Sequence, residues 1–164
     1  KLLPKGMILN DLLDDYLIGS PTYVIRKKAL NGLKYYFNDK FHIIGDFDLN
    51  IRLSCDWKID CIQEPVAFVR IHGKNISLLN RDKEINELKI WYEEMRNNPV
   101  FNSQSKFNQI SLMISYLKTM QTILENGFKK SFMMVLKYPI SIKKIKLLIA
   151  LLLPKFILKK IKNY

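Results

Sequence analysis

Hydrophobic residues recur every three or four positions through the second half of the chain, and that spacing places them on one side of an α-helix. Between Ile110 and Leu124 the apolar positions keep this period, and Asn126-Gly127 then provides a typical C-terminal stop. Helices are predicted in this half at 82–97, 107–125, 128–138 and 141–162. The chain from residue 79 onward is therefore expected to be entirely helical.

The first 78 residues show a mixed pattern. Short runs of β-branched and aromatic residues predict strands at 22–25, 58–62 and 66–71. Short stretches with apolar residues at helical spacing predict helices at 10–16, 26–33 and 46–54. The expected fold class is therefore α/β, with an α/β region at 1–78 and a helical extension at 79–164.

The charge is concentrated in the helical extension. The net charge is +12 over 164 residues, and residues 106–164 contain 12 Lys but a single acidic residue, Glu125. The apolar residues of this tail are mostly aliphatic, whereas base recognition uses Arg, Asn, Gln and stacking aromatics. An anionic membrane is thus the expected partner and no nucleic acid is expected, with a solvated basic face that has no partner as the alternative.

Segment 141–162 is both basic and amphipathic, which is typical of helices that lie in the interface of anionic bilayers. A basic helix packed on the rest of the protein explains the same pattern, so both interpretations stay open. The longest uncharged apolar run, 147–154, is far shorter than the roughly 20 residues of a membrane-spanning helix. The chain is not expected to cross a membrane by itself.

Two carboxylates open the predicted helix at 46–54. Asp46 and Asp48 follow Gly45 and are separated by two positions, so they do not share a helix face. Taken alone, they are an ordinary helix start, because each carboxylate near a helix N-terminus stabilises it by about 1 kcal/mol or less.

A second polar pair closes the predicted strand 66–71. Arg70 and His72 are two positions apart and therefore point the same way. Ligands commonly bind at strand ends and in the loops that follow them. Arg binds phosphate well, and His binds divalent metals, although a lone His is more often structural.

Three segments in order resemble the C-terminal half of the catalytic domain of family 2 glycosyltransferases of the GT-A type. These inverting bacterial enzymes build capsule, lipopolysaccharide and related glycans. The segments are GSPTYVIRK at 19–27, GDFDLNIRL at 45–53 and IQEPVAFVRIHGKNIS at 62–77. The resemblance covers roughly residues 6–78, and Phe68 stands where the family usually has Tyr. It implies that 1–78 is the acceptor-side half of a GT-A, Rossmann-like domain.

The resemblance also implies roles for individual residues. Asp46 matches the family's catalytic base, which deprotonates the acceptor hydroxyl as that oxygen attacks the anomeric carbon. Arg70, His72 and Asp48 are assigned to the donor diphosphate, with His72 as a candidate metal ligand; Asp48 is also a candidate for holding the helix together with Arg52. The expected cofactor is a divalent metal, Mg or Mn, and the expected donor is a nucleotide-sugar.

The predicted function is inverting transfer of a sugar from a nucleotide-sugar to a glycan or lipid-linked acceptor in cell-surface polysaccharide synthesis. A donor-binding half with an Asp-x-Asp motif is expected before Lys1, so the chain alone is expected to be inactive. The expected location is cytoplasmic, peripheral at the inner face of the cell membrane. The alternatives are a non-catalytic helical module that binds membrane or nucleic acid, and a degenerate fragment.

Overall fold

A computed structural model describes residues 2–70, 72, 79–125 and 128–162, with side-chain surroundings as far as Leu158. Within these ranges the chain is built from helices, and its β pairing is limited to one isolated bridge between Gly6 and Ile59. The α-helices are α1 (Leu9–Asp14), α2 (Lys27–Asn31), α3 (Gly45–Asp56), α4 (Arg81–Met95), α5 (Pro99–Asn102), α6 (Gln109–Glu125), α7 (Phe128–Lys137), α8 (Ile142–Leu152) and α9 (Lys155–Lys162). A short 3-10 helix covers Ser20–Thr22.

The predicted α/β fold, and with it the GT-A Rossmann-like half-domain, is wrong. The described parts of 22–25, 58–62 and 66–71 form no sheet, and Ile71 lies outside the described residues. The side chains of Val24 and Phe68 are fully exposed. A strand is stable only when a neighbouring strand takes up its N–H and C=O groups. Among the described residues, the isolated bridge between Gly6 and Ile59 is the only such pairing, so local β propensity does not extend into a sheet.

The first hydrophobic core joins α1, α3, α4 and the start of α6. Trp91 lies at its centre with no exposed surface, and it makes edge-to-face contacts with Phe47 and Phe101, whose ring centroids lie 5.0 Å and 5.6 Å from its own. The predicted helical spacing of Ile85, Leu88 and Trp91 is confirmed, since all three are buried. Residues on both sides of position 78 contribute to this core. The division into 1–78 and 79–164 stays a prediction.

A smaller apolar cluster holds α2 against α3. Ala29 of α2 packs with Leu49 and Leu53 of α3, and Trp57 closes the cluster. This contact fixes the chain segment before α2, which contains the 3-10 helix, relative to the beginning of α3. The same contact places Ser20 beside Asp46, as described below.

The second core joins α6 to the three tail helices. Its buried members are Ile123, Val135, Tyr138, Leu147, Ala150 and Leu158. The predicted helix 141–162 is divided, because α8 ends at Leu152 and α9 begins at Lys155. Pro154 explains the division, since it has no N–H to donate and its ring clashes with the preceding turn. In the described part of the chain, no helix is both long and apolar enough to span a membrane.

Burial controls the reactivity of Cys55 on α3. Burial raises the pKa of its thiol to about 11, and nearby Asp56 adds to the rise while Arg52 opposes it. The thiolate is the reacting species. In a Cys61→Ser variant, alkylation of Cys55 at pH 8 is expected to be slow and to rise with pH toward 11. Unfolding in urea should accelerate it by about a hundredfold, because the pKa returns to its ordinary range.

The measurement is the rate of iodoacetamide incorporation, followed by mass spectrometry with and without urea. Cys55→Ser, which leaves Cys61 as the thiol, controls for the effect of urea on the reagent. Equal rates for native and unfolded Cys55 would contradict the burial argument.

Candidate active site at the start of helix α3

Asp46 is the second residue of α3, and its carboxylate is half-buried. The Ser20 hydroxyl donates a short hydrogen bond to Oδ2 of Asp46. The Phe47 backbone N–H donates to Oδ1 at 2.8 Å. In the described part of the chain, no lysine or arginine forms an ion pair with this carboxylate. Its environment is therefore one of hydroxyl and amide donors.

Two tyrosines complete the surroundings of Asp46. Burial raises the pKa of Tyr16; the hydrogen bond from Asn50 opposes this rise, and the negative charge of Asp46 adds to it. Burial and then the charge of Asp46 also raise the pKa of Tyr23. Both phenols are therefore neutral near pH 7 and act as hydrogen-bonding groups. Asn50 Nδ2 donates to the Tyr16 hydroxyl oxygen at 2.9 Å, which holds that ring over the start of α3.

Asp48 has a different environment, although it is only two residues further along the helix. It is completely buried, and its Oδ1 accepts a hydrogen bond from Trp91 Nε1 at 3.0 Å. Its Oδ2 accepts from Arg52 Nε at 3.0 Å and pairs with Arg52 Nη2 at 2.9 Å. The carboxylate thus faces the core and is not placed to contact a diphosphate.

Arg52 extends the Asp48 network to the turn that precedes α3. Its guanidinium donates to the carbonyl oxygens of Tyr35 at 2.9 Å and Tyr36 at 2.8 Å. It also lies 4.2 Å from the centre of the Tyr35 ring, where a cation–π attraction operates. Asp48 and Arg52 together therefore hold α3, α4 and this turn in one arrangement, in agreement with the structural role considered for them.

Glu87 positions the turn before α3, a role that the sequence did not indicate. It is buried on α4, and its two carboxylate oxygens accept hydrogen bonds from three consecutive backbone N–H groups. These belong to His42 at 3.1 Å, Ile43 at 2.8 Å and Ile44 at 3.1 Å. The turn that sets the direction of α3 is thus fixed from a helix 43 positions away in the sequence. Within the predicted helix 82–97, nothing in the local sequence distinguishes Glu87 from the other acidic residues.

We expect Glu87→Gln to destabilise the protein by about 1–3 kcal/mol. The amide has one acceptor oxygen, and its NH₂ group is directed at backbone donors, so at least one buried N–H loses its partner. The free energy of unfolding in urea measures the loss. Glu93→Gln, on the exposed side of the same helix, is the matched control and should leave the unfolding midpoint unchanged. A Glu87→Gln midpoint equal to that of wild type would show that the turn does not depend on these bonds.

The structure does not bring Arg70 or His72 into contact with Asp46. Both side chains are exposed and lie in or just after the irregular segment that follows α3. Among the described residues, no hydrogen bond or ion pair joins either of them to Asp46. The loop expected to complete this second polar cluster, 73–78, lies outside the described residues. Their assignment to the donor diphosphate stays a prediction.

A metal site is not assembled by the part of the chain that the structure describes, since no three His, Cys, Asp or Glu side chains come together there. His72 would contribute one imidazole nitrogen. The two carboxylates assigned to the same site already have hydrogen-bond partners. Asp46 accepts from Ser20 and Phe47. Asp48 accepts from Arg52 and Trp91. These donors do not fit a complete divalent-metal site, and Mg or Mn remains an expectation from the resemblance.

The chain was compared with protein-family models, with curated proteins and with solved structures. Nothing matches. The function is therefore inferred from the sequence segments and from the geometry around Asp46.

A polar cleft of about 330 Å³ lies between α4, α6 and the start of α7. Its walls include Lys89, Lys118 and Lys130, but also the carboxylates of Asp82 and Glu125. The Gln121 amide donates to both carboxylates, at 2.7 Å and 3.0 Å. None of the predicted site residues lines this cleft, and the start of α3 remains the better candidate for chemistry.

The arrangement at Asp46 is suited to accepting a proton from a hydroxyl group. The carboxylate is partly accessible, and it is not neutralised by a cation among the described residues. Its hydrogen-bond donors, the Ser20 hydroxyl and the Phe47 N–H, are neutral, as are the two nearby tyrosines. A hydroxyl that displaced Ser20 Oγ from Oδ2 would lie within hydrogen-bond reach of the carboxylate, which is the first geometric requirement for a general base.

Proposed function

We propose that this chain is the acceptor-side part of an inverting glycosyltransferase, which transfers a sugar from a nucleotide-sugar to a glycan or lipid-linked acceptor in cell-surface polysaccharide synthesis. One observation carries the proposal. Of the two carboxylates in the glycosyltransferase-like segment 45–53, Asp46 is accessible and accepts a bond from a hydroxyl, whereas Asp48 is enclosed by Trp91 and Arg52. The accessible carboxylate is the one that matches the family's base.

In the proposed reaction, Asp46 takes the proton of the acceptor hydroxyl while the oxygen attacks the anomeric carbon of the donor. The new glycosidic C–O bond forms on the face opposite the bond that breaks, so the anomeric configuration inverts. The nucleoside diphosphate leaves with the bonding electron pair. Arg70 and His72 are the groups proposed to contact it, because a cationic or hydrogen-bonding side chain stabilises the charge that develops on the leaving oxygen.

The proposed location is the cytoplasmic face of the cell membrane, with the chain bound peripherally. A lipid-linked acceptor is anchored in the bilayer, so a membrane-bound enzyme meets it by diffusion in two dimensions. The basic composition of the tail supports this location.

A helical module that binds membranes without chemistry is the second candidate. It is favoured by the large apolar side chains that α7 and α8 expose to solvent. The two candidates differ in one measurable property, which is turnover of a nucleotide-sugar.

The test uses the longest natural reading frame that contains this chain, with the chain alone as a comparison. Each is incubated with a panel of nucleotide-sugars and with a lipid-linked or soluble glycan acceptor. Proton NMR of the product then reports the anomeric configuration. We expect transfer with inversion by the longer protein and none by the chain alone. A product with retained configuration, or no transfer by the longer protein, would contradict the proposed function.

A further inference from the structure

Helix α7 has two apolar sides. Ser131 and Val135 face the second core and are buried, as is Tyr138 just after the helix. Met133 and Leu136 lie on the opposite side and are about half exposed. A helix that only packed on the protein would place polar residues on its outer side, so the outer side of α7 is not explained by the fold.

Helix α8 repeats this arrangement. Leu147 and Ala150 are buried against α6 and α7. On the opposite side, large aliphatic residues recur at spacings of three or four positions and are exposed; they are Ile142, Ile145, Leu148, Ile149 and Leu152. The helix therefore packs on the protein and still exposes a second apolar face. The two sequence interpretations of this segment are not exclusive, because each applies to a different side.

The loop between α7 and α8 also exposes an apolar residue. Ile140 is 96% exposed. The Lys144 ammonium group donates to the carbonyl oxygens of Leu136 at 2.9 Å and Tyr138 at 2.7 Å, which ties the start of α8 to the end of α7. The two outer faces thus belong to one fixed hairpin. We call Met133, Leu136, Ile140, Ile145, Ile149 and Leu152 the tail surface.

Positive charge surrounds the tail surface. Residues 128–162 contain ten Lys and neither Asp nor Glu. Lys129, Lys137 and Lys146 are exposed on the same two helices. Exposed aliphatic side chains on helices with exposed lysines and no acidic residue suit the surface of an anionic bilayer. The lysines would contact the phosphate groups, and the aliphatic side chains would contact the acyl chains that begin just below them.

We propose that the tail surface of α7 and α8 is the membrane-binding face of this protein, and that it inserts into the interface of an anionic lipid bilayer. The proposal adds α7 and Ile140 to the predicted segment 141–162 and names the side of each helix that enters the lipid. It does not require that the protein transfer sugar.

Charge also distinguishes the bilayer from two other occupants. A second copy of the chain would bring ten lysines of each copy together without an acidic residue from the same helices, and such like charges repel. A nucleic acid would neutralise the charge of the lysines but leave the aliphatic side chains in water. Anionic lipid satisfies both features.

The test is cosedimentation of the full chain with vesicles of phosphatidylcholine alone or of phosphatidylcholine with phosphatidylglycerol. We expect at least tenfold tighter binding to the anionic vesicles, weakening as salt is raised from 0.05 to 0.5 M because screening shortens the reach of the charges. The triple variant Ile145→Gln, Ile149→Gln, Leu152→Gln should lose at least tenfold in binding, since it removes three exposed aliphatic side chains that would enter the lipid. Gln keeps the helix, as it is a good helix former.

The matched control replaces three exposed apolar residues elsewhere, Leu2→Gln, Val24→Gln and Val100→Gln, and should bind like wild type. Circular dichroism spectra and melting midpoints show whether each variant is folded. A further variant, Lys129→Gln, Lys137→Gln, Lys146→Gln, should lose up to about a hundredfold on anionic vesicles, at roughly fivefold per lysine, and little on phosphatidylcholine.

Three outcomes would overturn the proposal: equal binding of the aliphatic triple variant and wild type, wild-type self-association in gel filtration that the same variant abolishes, and salt-sensitive oligonucleotide binding without vesicle binding. Transfer to a soluble acceptor is measured separately. In the longest natural reading frame that contains the chain, a variant that loses vesicle binding but keeps that transfer supports the membrane proposal. A failure of all transfer by that protein without substitutions affects only the proposed function.

Discussion

Asp46→Asn is expected to lower kcat for sugar transfer by about 10²–10⁴-fold in the longest natural reading frame that contains the chain. Asparagine has nearly the same size and can still accept the hydrogen bond that Ser20 donates to Asp46. Its amide oxygen cannot take up the proton of the acceptor hydroxyl. The loss should therefore appear in kcat, with little change in KM for the nucleotide-sugar, and the measurement is release of nucleoside diphosphate at varied donor concentration.

Two controls separate chemistry from folding in this experiment. Asp46→Asn should stay folded, with a free energy of unfolding lowered by about 1 kcal/mol or less, because the half-buried carboxylate makes no ion pair with a described lysine or arginine and only one of its two donors, Ser20 or Phe47, loses an acceptor oxygen. Asp11→Asn, an exposed carboxylate in the first turn of α1, should keep full turnover. Near-normal turnover in Asp46→Asn would remove Asp46 from the mechanism.

The largest effect on stability is expected for Asp48→Asn, at about 2–4 kcal/mol. Asparagine can still accept from Trp91 Nε1, but the Arg52 guanidinium, whose side chain is only 14% exposed, loses the charge that faces it. Removal of one partner from a buried ion pair leaves an uncompensated charge in a poorly hydrated place. The free energy of unfolding in urea measures the loss, and Trp91 fluorescence is a convenient probe because the indole is part of the network.

Asp14→Asn is the control for this prediction, since Asp14 pairs with Lys106 at 3.4 Å and both side chains are about half exposed. Its unfolding midpoint should not move measurably, because exposed pairs contribute little. Transfer by Asp48→Asn, measured where the variant is folded, should stay close to that of wild type. A large drop in kcat in the folded variant would instead support the contact with the diphosphate that the sequence suggested for Asp48.

The helices of the second half could be predicted because helical periodicity is a local property. Ile85, Leu88 and Trp91 share a face whatever else the chain does, and the structure buries that face. The strand predictions for the first half failed because strand formation is not a local property. Val24 and Phe68 are residues that favour strands, but a sheet requires hydrogen bonds from a second segment. Among the described residues, no second segment pairs with either of them.

The candidate site shows the same difference between local and distant information. The resemblance singled out Asp46, and the spacing of Asp46 and Asp48 already placed them on different sides of α3. Which of the two is enclosed depends on Trp91, 43 positions away, whose indole N–H donates to Asp48. Ser20 and Glu87 reach the start of α3 from 26 and 43 positions away, and no periodicity in the sequence announces either contact.

The sequence by itself located most of the helices after residue 79 and the concentration of lysine in the tail, and its resemblance to a known family singled out Asp46 as the candidate base. These properties depend on residue type and on spacings of a few positions. Only the tertiary structure decided that the described chain is helical, that Asp48 belongs to the core, and that α7 and α8 each bury one apolar side and expose another. Those facts depend on which distant segments pack together, because a side chain is buried or exposed only in relation to neighbours that the folded chain brings to it.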